Sequence, residues 1–204
     1  MNERLRTLSM LLLAAVSGVL AGSCIPEFTS GLPGGDKPMP DDRVTGIWKD
    51  ENSRLLIFPR KSGLVDMVLM NELGEEKGAT VLSFVGYMAK VGNESFFCFK
   101  QRADDKEEQG AERGYTIAHY SLSKDGALSV SLFNLEAVKK LIDDGKLKGT
   151  VETKQGQPFK TVIVTASSEE LAAAIAQEGV KSFVSGDPGD VMPFTRVEKV
   201  EPNR

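Results

Sequence analysis

The feature that most constrains this chain is a two-residue alternation of apolar and polar side chains, which recurs from Val44 onward. Successive side chains of a β-strand point to opposite faces, so such a segment predicts a strand with one apolar face. Glycine, asparagine and aspartate separate the segments, which is typical of an antiparallel meander. The predicted inward faces are Val65, Met67 and Leu69; Leu82, Phe84 and Met88; and Leu128, Val130 and Leu132.

Two later segments change to helical spacing. Asn134 can cap the first helix, and Ser167 with Glu170 forms a capping box before the second. Seven or eight strands without an early crossover helix indicate a closed barrel or a strongly coiled sheet, because closure removes exposed edges. We therefore predict a mainly β fold with two short helices, in which an antiparallel meander closes into a β-barrel.

A short motif lies on the first predicted strand of the meander. Gly46-Ile47-Trp48 resembles the Gly-x-Trp motif of the lipocalins and of the wider calycin superfamily. The resemblance implies a lipocalin-like barrel in which Trp48 closes one end and Arg196, on the last strand, packs over the tryptophan. An arginine over tryptophan would be a cation–π contact. The alternative is that Trp48 is simply a core residue.

The first residues predict an export signal. Arg4 and Arg6 precede a short apolar run that ends in small residues, and Cys24 follows. This arrangement resembles the bacterial lipobox, in which signal peptidase II cuts before a cysteine that is then acylated. We expect a lipoprotein signal peptide at 1–23 and lipid attachment at Cys24. An ordinary secretory signal that ends near a cysteine is the alternative.

The segment after the cysteine is rich in proline and glycine. Residues 24–42 have no periodic apolar pattern, so we expect a tether, followed by a single barrel domain at 43–200. By analogy with Gram-negative lipoproteins, Ile25 after the cysteine favours the outer membrane, with the domain in the periplasm.

Composition excludes some partners. The chain has 25 lysines and arginines against 29 aspartates and glutamates, a net charge of −4. No basic cluster interleaved with aromatics is present, so we predict no nucleic-acid binding. Cys98 lies among phenylalanines and, with Cys24 acylated, has no partner; we interpret it as a buried small apolar residue, with a reactive thiol as the alternative.

The sequence carries little sign of catalysis or of a cofactor. A single histidine cannot build a histidine-rich metal site, and we find no P-loop, nucleophile elbow or dinucleotide fingerprint. His119 could be a structural residue, a polar group of a pocket or, least expected, the base of a hydrolase. We predict that the protein is not an enzyme and needs no metal or cofactor.

The function we expect is binding of a small apolar molecule inside the barrel, by a protein held at the membrane through acylated Cys24. The alternative is a docking module for an envelope protein, with a filled barrel and no ligand. The candidate ligand-binding residues are Met67, Phe84, Met88, His119 and Tyr120.

Overall fold

The structure is a computed structural model that describes residues 25–72, 79–102, 114–153, 160–184 and 191–199 of the 204. The predicted signal peptide, 1–23, and Cys24 lie outside the described residues. The strands are β1 (Glu27–Phe28), β2 (Gly46–Lys49), β3 (Ser53–Pro59), β4 (Val65–Glu72), β5 (Ala79–Val91), β6 (Glu94–Gln101), β7 (Thr116–Leu122), β8 (Leu128–Leu132), β9 (Gly149–Thr153), β10 (Lys160–Val164) and β11 (Val191–Glu198). The α-helices are α1 (Leu135–Asp143) and α2 (Ser168–Glu178), and a 3₁₀ turn follows at Val180–Ser182.

Eight antiparallel strands form a closed barrel in the order β11-β2-β3-β4-β5-β6-β7-β8. The last strand closes it by pairing with two partners. The first half of β11 pairs with β8, from Val191 opposite Ser131 to Phe194 opposite Leu128, and the second half pairs with β2. The predicted mainly β fold, an antiparallel meander closing into a barrel with two helices, is confirmed.

The alternation along the strands divides the apolar residues between two cores. One core fills the barrel and contains the predicted inward residues Val65, Met67, Met88, Leu128 and Val130. The other core lies outside the barrel wall, where the opposite faces of β5, β6 and β7 meet the helices. The barrel wall is therefore apolar on both sides over these strands, as in other sheets that are covered on two faces.

The second core is completed by an insertion between β8 and β11. It contains both helices, β9 and β10, and β1 from the N-terminal segment pairs parallel with β10 to complete a small sheet of order β1-β10-β9. The helices begin where predicted: Asn134 accepts from the backbone N–H of Ala137 at 3.0 Å, and both hydrogen bonds of the Ser167–Glu170 capping box are present. Neither β9 nor this second sheet was predicted from the sequence.

The segment expected to be a tether is part of the fold in its described part, 25–42. Phe28 is fully buried, Leu32 is 1% exposed, and both belong to the outer core. The backbone N–H groups of Phe28 and Tyr115 each donate to the carbonyl of the other, at 2.9 and 2.7 Å. Two apolar side chains and these hydrogen bonds hold down a segment whose composition indicated an extended linker, so the expectation of an unpacked tether is corrected.

Candidate functional site

Trp48 lies fully buried at the end of the barrel where β2 begins and β11 ends, which we call the closed end. Its indole N–H donates to the carbonyl of Val44 at 2.7 Å. The guanidinium carbon of Arg196 lies 4.3 Å from the ring centroid. The Arg196 guanidinium also donates to the carbonyl of Thr45 at 3.0 Å and to that of Arg43. These contacts seal the barrel at this end.

Glycine is required beside Trp48. Gly46 has a φ of +135°, and a Cβ there would lie 2.3 Å from the carbonyl oxygen of Glu198. Any larger residue would therefore separate β2 from β11 at the point where the barrel closes.

The barrel interior next to the closed end is filled. The rings of Phe97 and Tyr120 stack at 4.2 Å, and Met88 is 6% exposed. Asp41 covers both predicted ligand residues: its backbone N–H lies 2.9 Å from the sulfur of Met88, and its carboxylate accepts from the Tyr120 hydroxyl at 3.3 Å. Met88 and Tyr120 therefore face inward as predicted, but they lie in the packed half of the barrel.

This arrangement shifts the pKa values of Asp41 and Tyr120. The Arg43 guanidinium donates to the Asp41 carboxylate at 2.7 Å and lowers the pKa of that carboxyl. Burial, with the Asp41 charge as a smaller cause, raises the pKa of Tyr120 above its ordinary value. The phenol therefore stays protonated and donates to a carboxylate that stays ionised.

An apolar cavity of about 130 Å³ occupies the opposite end of the barrel, where β4 ends and β5 begins; we call this the open end. Its walls include the predicted residues Met67 and Phe84, together with Leu69, Phe99 and Leu132. The rings of Phe84 and Phe99 meet edge to face at 5.0 Å. An apolar cavity of about 150 Å³ can remain dry and take up benzene, so this volume suits a ring or a short alkyl group.

Gly86, between Phe84 and Met88 on β5, does not leave open space for the cavity. A Cβ on Gly86 would lie 2.2 Å from the carbonyl oxygen of Cys98 and 2.7 Å from the Cα of Phe99. The backbone of β6 already occupies the space, so Gly86 allows β5 and β6 to approach each other closely.

His119 lies on the outer side of the barrel wall, away from the cavity. Its Nε2 is 2.6 Å from a carboxylate oxygen of Glu94, and its ring meets Phe96 edge to face at 5.5 Å. Its strand neighbours Ala118 and Tyr120 belong to the barrel core. The expectation that His119 is an orienting group of the ligand site is therefore corrected, because adjacent strand residues cannot share a face.

Two further residues at the open end were missed. Ile25 lines the cavity, although it lies in the segment read as a tether. Asn71 on β4 is 7% exposed, and its side-chain nitrogen has no hydrogen-bond partner. The signal for Asn71 was present in the sequence, since it continues the alternation of Val65, Met67 and Leu69 by one step.

Cys98 has the environment predicted for a small apolar residue. It is fully buried, and the backbone N–H of Leu32 lies 3.5 Å from its sulfur. Burial raises the pKa of the Cys98 thiol to about 11, so the thiolate that reacts with electrophiles is scarce at neutral pH.

A second, polar cleft of about 530 Å³ lies beside the outer core. The segment 29–36 forms one wall, and Tyr87, Tyr115 and the beginning of α2 form the other. The Tyr87 hydroxyl is already used, since it donates to the carbonyl of Leu32 at 2.5 Å.

Among the described residues, no group of three or more histidine, cysteine, aspartate or glutamate side chains could hold a metal ion. None of the described helices is long and apolar enough to cross a membrane. No protein-family model matches the sequence, and neither the curated proteins nor the solved structures include a significant match.

Proposed function

We propose that the protein is a lipid-anchored envelope lipoprotein that binds a small apolar molecule in the open end of its barrel. The observation that carries this proposal is the apolar cavity at one end of a barrel whose other end is sealed by Trp48 and Arg196. A closed end leaves a single entrance, and apolar walls favour a ligand part without polar groups. The cavity volume limits that part to the size of a ring or a short chain end.

The anchor and the cavity lie close together along the chain. Acylation is proposed at Cys24, and the next residue, Ile25, lines the cavity. Several acyl chains are needed for stable membrane attachment, and a triacylated cysteine would supply them. Ile25 after the cysteine supports an outer-membrane location with the domain in the periplasm.

Binding without catalysis fits the chemistry of the cavity. Its walls are almost entirely aliphatic and aromatic, with Gln101 and Thr116 as their polar members. The candidate base, His119, lies on the other side of the barrel wall and pairs with Glu94. A hydrolase would need a base within hydrogen-bond reach of its substrate.

The proposal is tested by binding of an environment-sensitive apolar dye to the chain from residue 24 onward, carrying Cys24→Ala. This protein keeps every described element, and we expect about micromolar affinity, near −8 kcal/mol. Leu69→Trp fills the cavity and should weaken dye binding at least tenfold. Val81→Trp is the matched control, because Val81 is 55% exposed on the neighbouring strand and should leave affinity unchanged.

Two results would contradict the proposal. One is undetectable dye binding by the wild-type chain, which would favour the alternative function, a docking module for an envelope protein. The other is an equal loss of binding in Leu69→Trp and Val81→Trp, which would place the dye outside the cavity.

A further inference from the structure

Asn71 is a buried polar residue towards the open end of the barrel. It lies near the end of β4, two residues beyond Leu69, which lines the cavity. The pairing of β4 with β3 and β5 is regular through this region, with Asn71 opposite Ser53 on one side and Thr80 on the other. Regular alternation therefore places Asn71 on the inward face, one step nearer the open end than Leu69.

The Asn71 side-chain amide is buried, yet its nitrogen has no hydrogen-bond partner. The residue is 7% exposed, and its Nδ2 is buried without a hydrogen-bond partner. It is the one side-chain nitrogen or oxygen with this property in the described part of the chain. Buried donors are almost always paired, because burial without a hydrogen bond forfeits the interaction with water. An acceptor from outside the described part of the chain is therefore expected beside Nδ2.

The chemistry of that acceptor follows from the donor and its surroundings. An amide N–H₂ donates to a carbonyl, ester or carboxylate oxygen. Among the described residues, the cavity walls contain no lysine or arginine, so a carboxylate entering there would meet no cationic partner from this part of the chain. A neutral carbonyl satisfies the amide without that cost.

We propose that the open end of the barrel binds a neutral amphipathic molecule, whose apolar end fills the cavity and whose carbonyl oxygen accepts a hydrogen bond from Asn71 Nδ2. This inference rests on the proposed function, since it assumes that the cavity takes a ligand. It adds a specific recognition group and a chemical class, ketones and esters, to what the apolar walls alone would select.

The test measures displacement of the apolar dye by 2-octanone and by 2-methyloctane, its hydrocarbon of the same shape, from the Cys24→Ala chain. The readout is the ratio of the two dissociation constants, because each ligand's own partitioning from water cancels when variants are compared. We expect Asn71→Leu to shift the ratio against the ketone about tenfold. Asn52→Leu is the matched control, an exposed asparagine in the turn before β3, and should leave the ratio unchanged.

Asn71→Asp keeps the shape of the side chain but replaces the donor by an acceptor. It should also lose the preference for the ketone at neutral pH, so the test does not depend on Asn71→Leu folding. Thermal unfolding of each variant establishes that it is folded before binding is measured.

The outcomes separate this inference from the proposed function. If the wild-type chain binds the dye but the ratio is the same in Asn71→Leu and Asn71→Asp, the inference is overturned and apolar binding stands. The same conclusion follows if a water molecule, and not the ligand, accepts the hydrogen bond from Asn71. Replacing Asn71 would then change the dissociation constants of the ketone and the hydrocarbon by the same factor. If the wild-type chain binds neither dye nor ligand, both proposals fail.

Discussion

Trp48 is held at the closed end by contacts of two kinds. Its N–H donates to the Val44 carbonyl, and its face meets the Arg196 guanidinium. Arg196 in turn donates to the carbonyls of Thr45 and Arg43, so it joins the last strand to the segment that leads into the first barrel strand. The arginine therefore contributes to stability through its contact with the Trp48 ring and through its hydrogen bonds to backbone carbonyls. A double-mutant cycle separates the two contributions.

We expect Trp48→Ala to lower the free energy of unfolding by about 3–5 kcal/mol, because it removes a large, fully buried ring. Arg196→Ala should cost less in the Trp48→Ala background than in the wild type, since residues in contact are not additive. Urea denaturation of the single and double variants measures both effects. Lys49→Ala, an exposed cation on the same strand, should be additive with Trp48→Ala; additive losses for Arg196 would show that the ring contact contributes nothing.

The alternation of side chains along a strand, which we call strand parity, determines which site residues could be predicted from the sequence. Adjacent residues point to opposite faces, so His119 and Tyr120 could not both face a ligand. The same rule places Asn71 with Met67 and Leu69. What parity cannot give is the position along the barrel: Met88 and Tyr120 face inward but lie beneath Asp41, in the filled half. That outcome depends on packing between strands distant in sequence.

Among the strands and helices, those with a strong local sequence pattern could be predicted and those without one could not. β8 alternates cleanly and both helices carry N-terminal caps, so all three are visible in the sequence. β9 reads GTVET, with a single apolar residue, and β1 is two residues long. Short strands of this kind form because a neighbour pairs with them, which a local pattern cannot reveal.

The N-terminal segment is the element whose role changed most. Proline and glycine predicted an unpacked linker, but Phe28 and Leu32 pack into the outer core and the backbone of Phe28 bonds to that of Tyr115. A few apolar side chains can therefore outweigh a composition typical of linkers when a core is available to bury them.

We expect Phe28→Ala to lower the free energy of unfolding by about 3–5 kcal/mol, because the ring is fully buried. Met39→Ala in the same segment should change it by less than about 0.5 kcal/mol, since Met39 is 79% exposed. Chemical denaturation of both variants makes the comparison. Equal, small effects would mean that the segment behaves as a free tether after all.

At the scale of the whole molecule, the two ends of the barrel differ in construction. The closed end is stabilised by Trp48, Arg196 and the segment around Asp41, whereas the open end retains the cavity. The contacts of Arg196 maintain closure at one end, and the residues that line the cavity lie towards the other. An eight-stranded barrel is just wide enough for this division, with one half filled by side chains and the other able to hold a small ligand.

The proposed anchor is tested in cells, on the entire chain. Cys24→Ala should abolish metabolic labelling with a fatty acid and leave the precursor unprocessed, because in the proposed lipoprotein Cys24 would be both the acylation site and the residue before which the signal is cleaved. Labelling of wild type and variant, followed by electrophoresis, measures both. Release of unlipidated wild-type protein into the medium would contradict the proposed anchor.

The packing of residues 25–33 has a consequence for where the barrel can be. A fully extended linker from position 24 to position 42 would span about 60 Å, at roughly 3.3–3.6 Å per residue, and would let the barrel sample a wide volume around an anchor at position 24. Because Ile25 already lies at the cavity, the free linker between position 24 and the barrel is only about one residue long. With the proposed anchor at Cys24, the entrance of the barrel would rest on the lipid surface. A ligand would then pass between bilayer and cavity without crossing open water, and its rate of uptake would follow its concentration in the membrane.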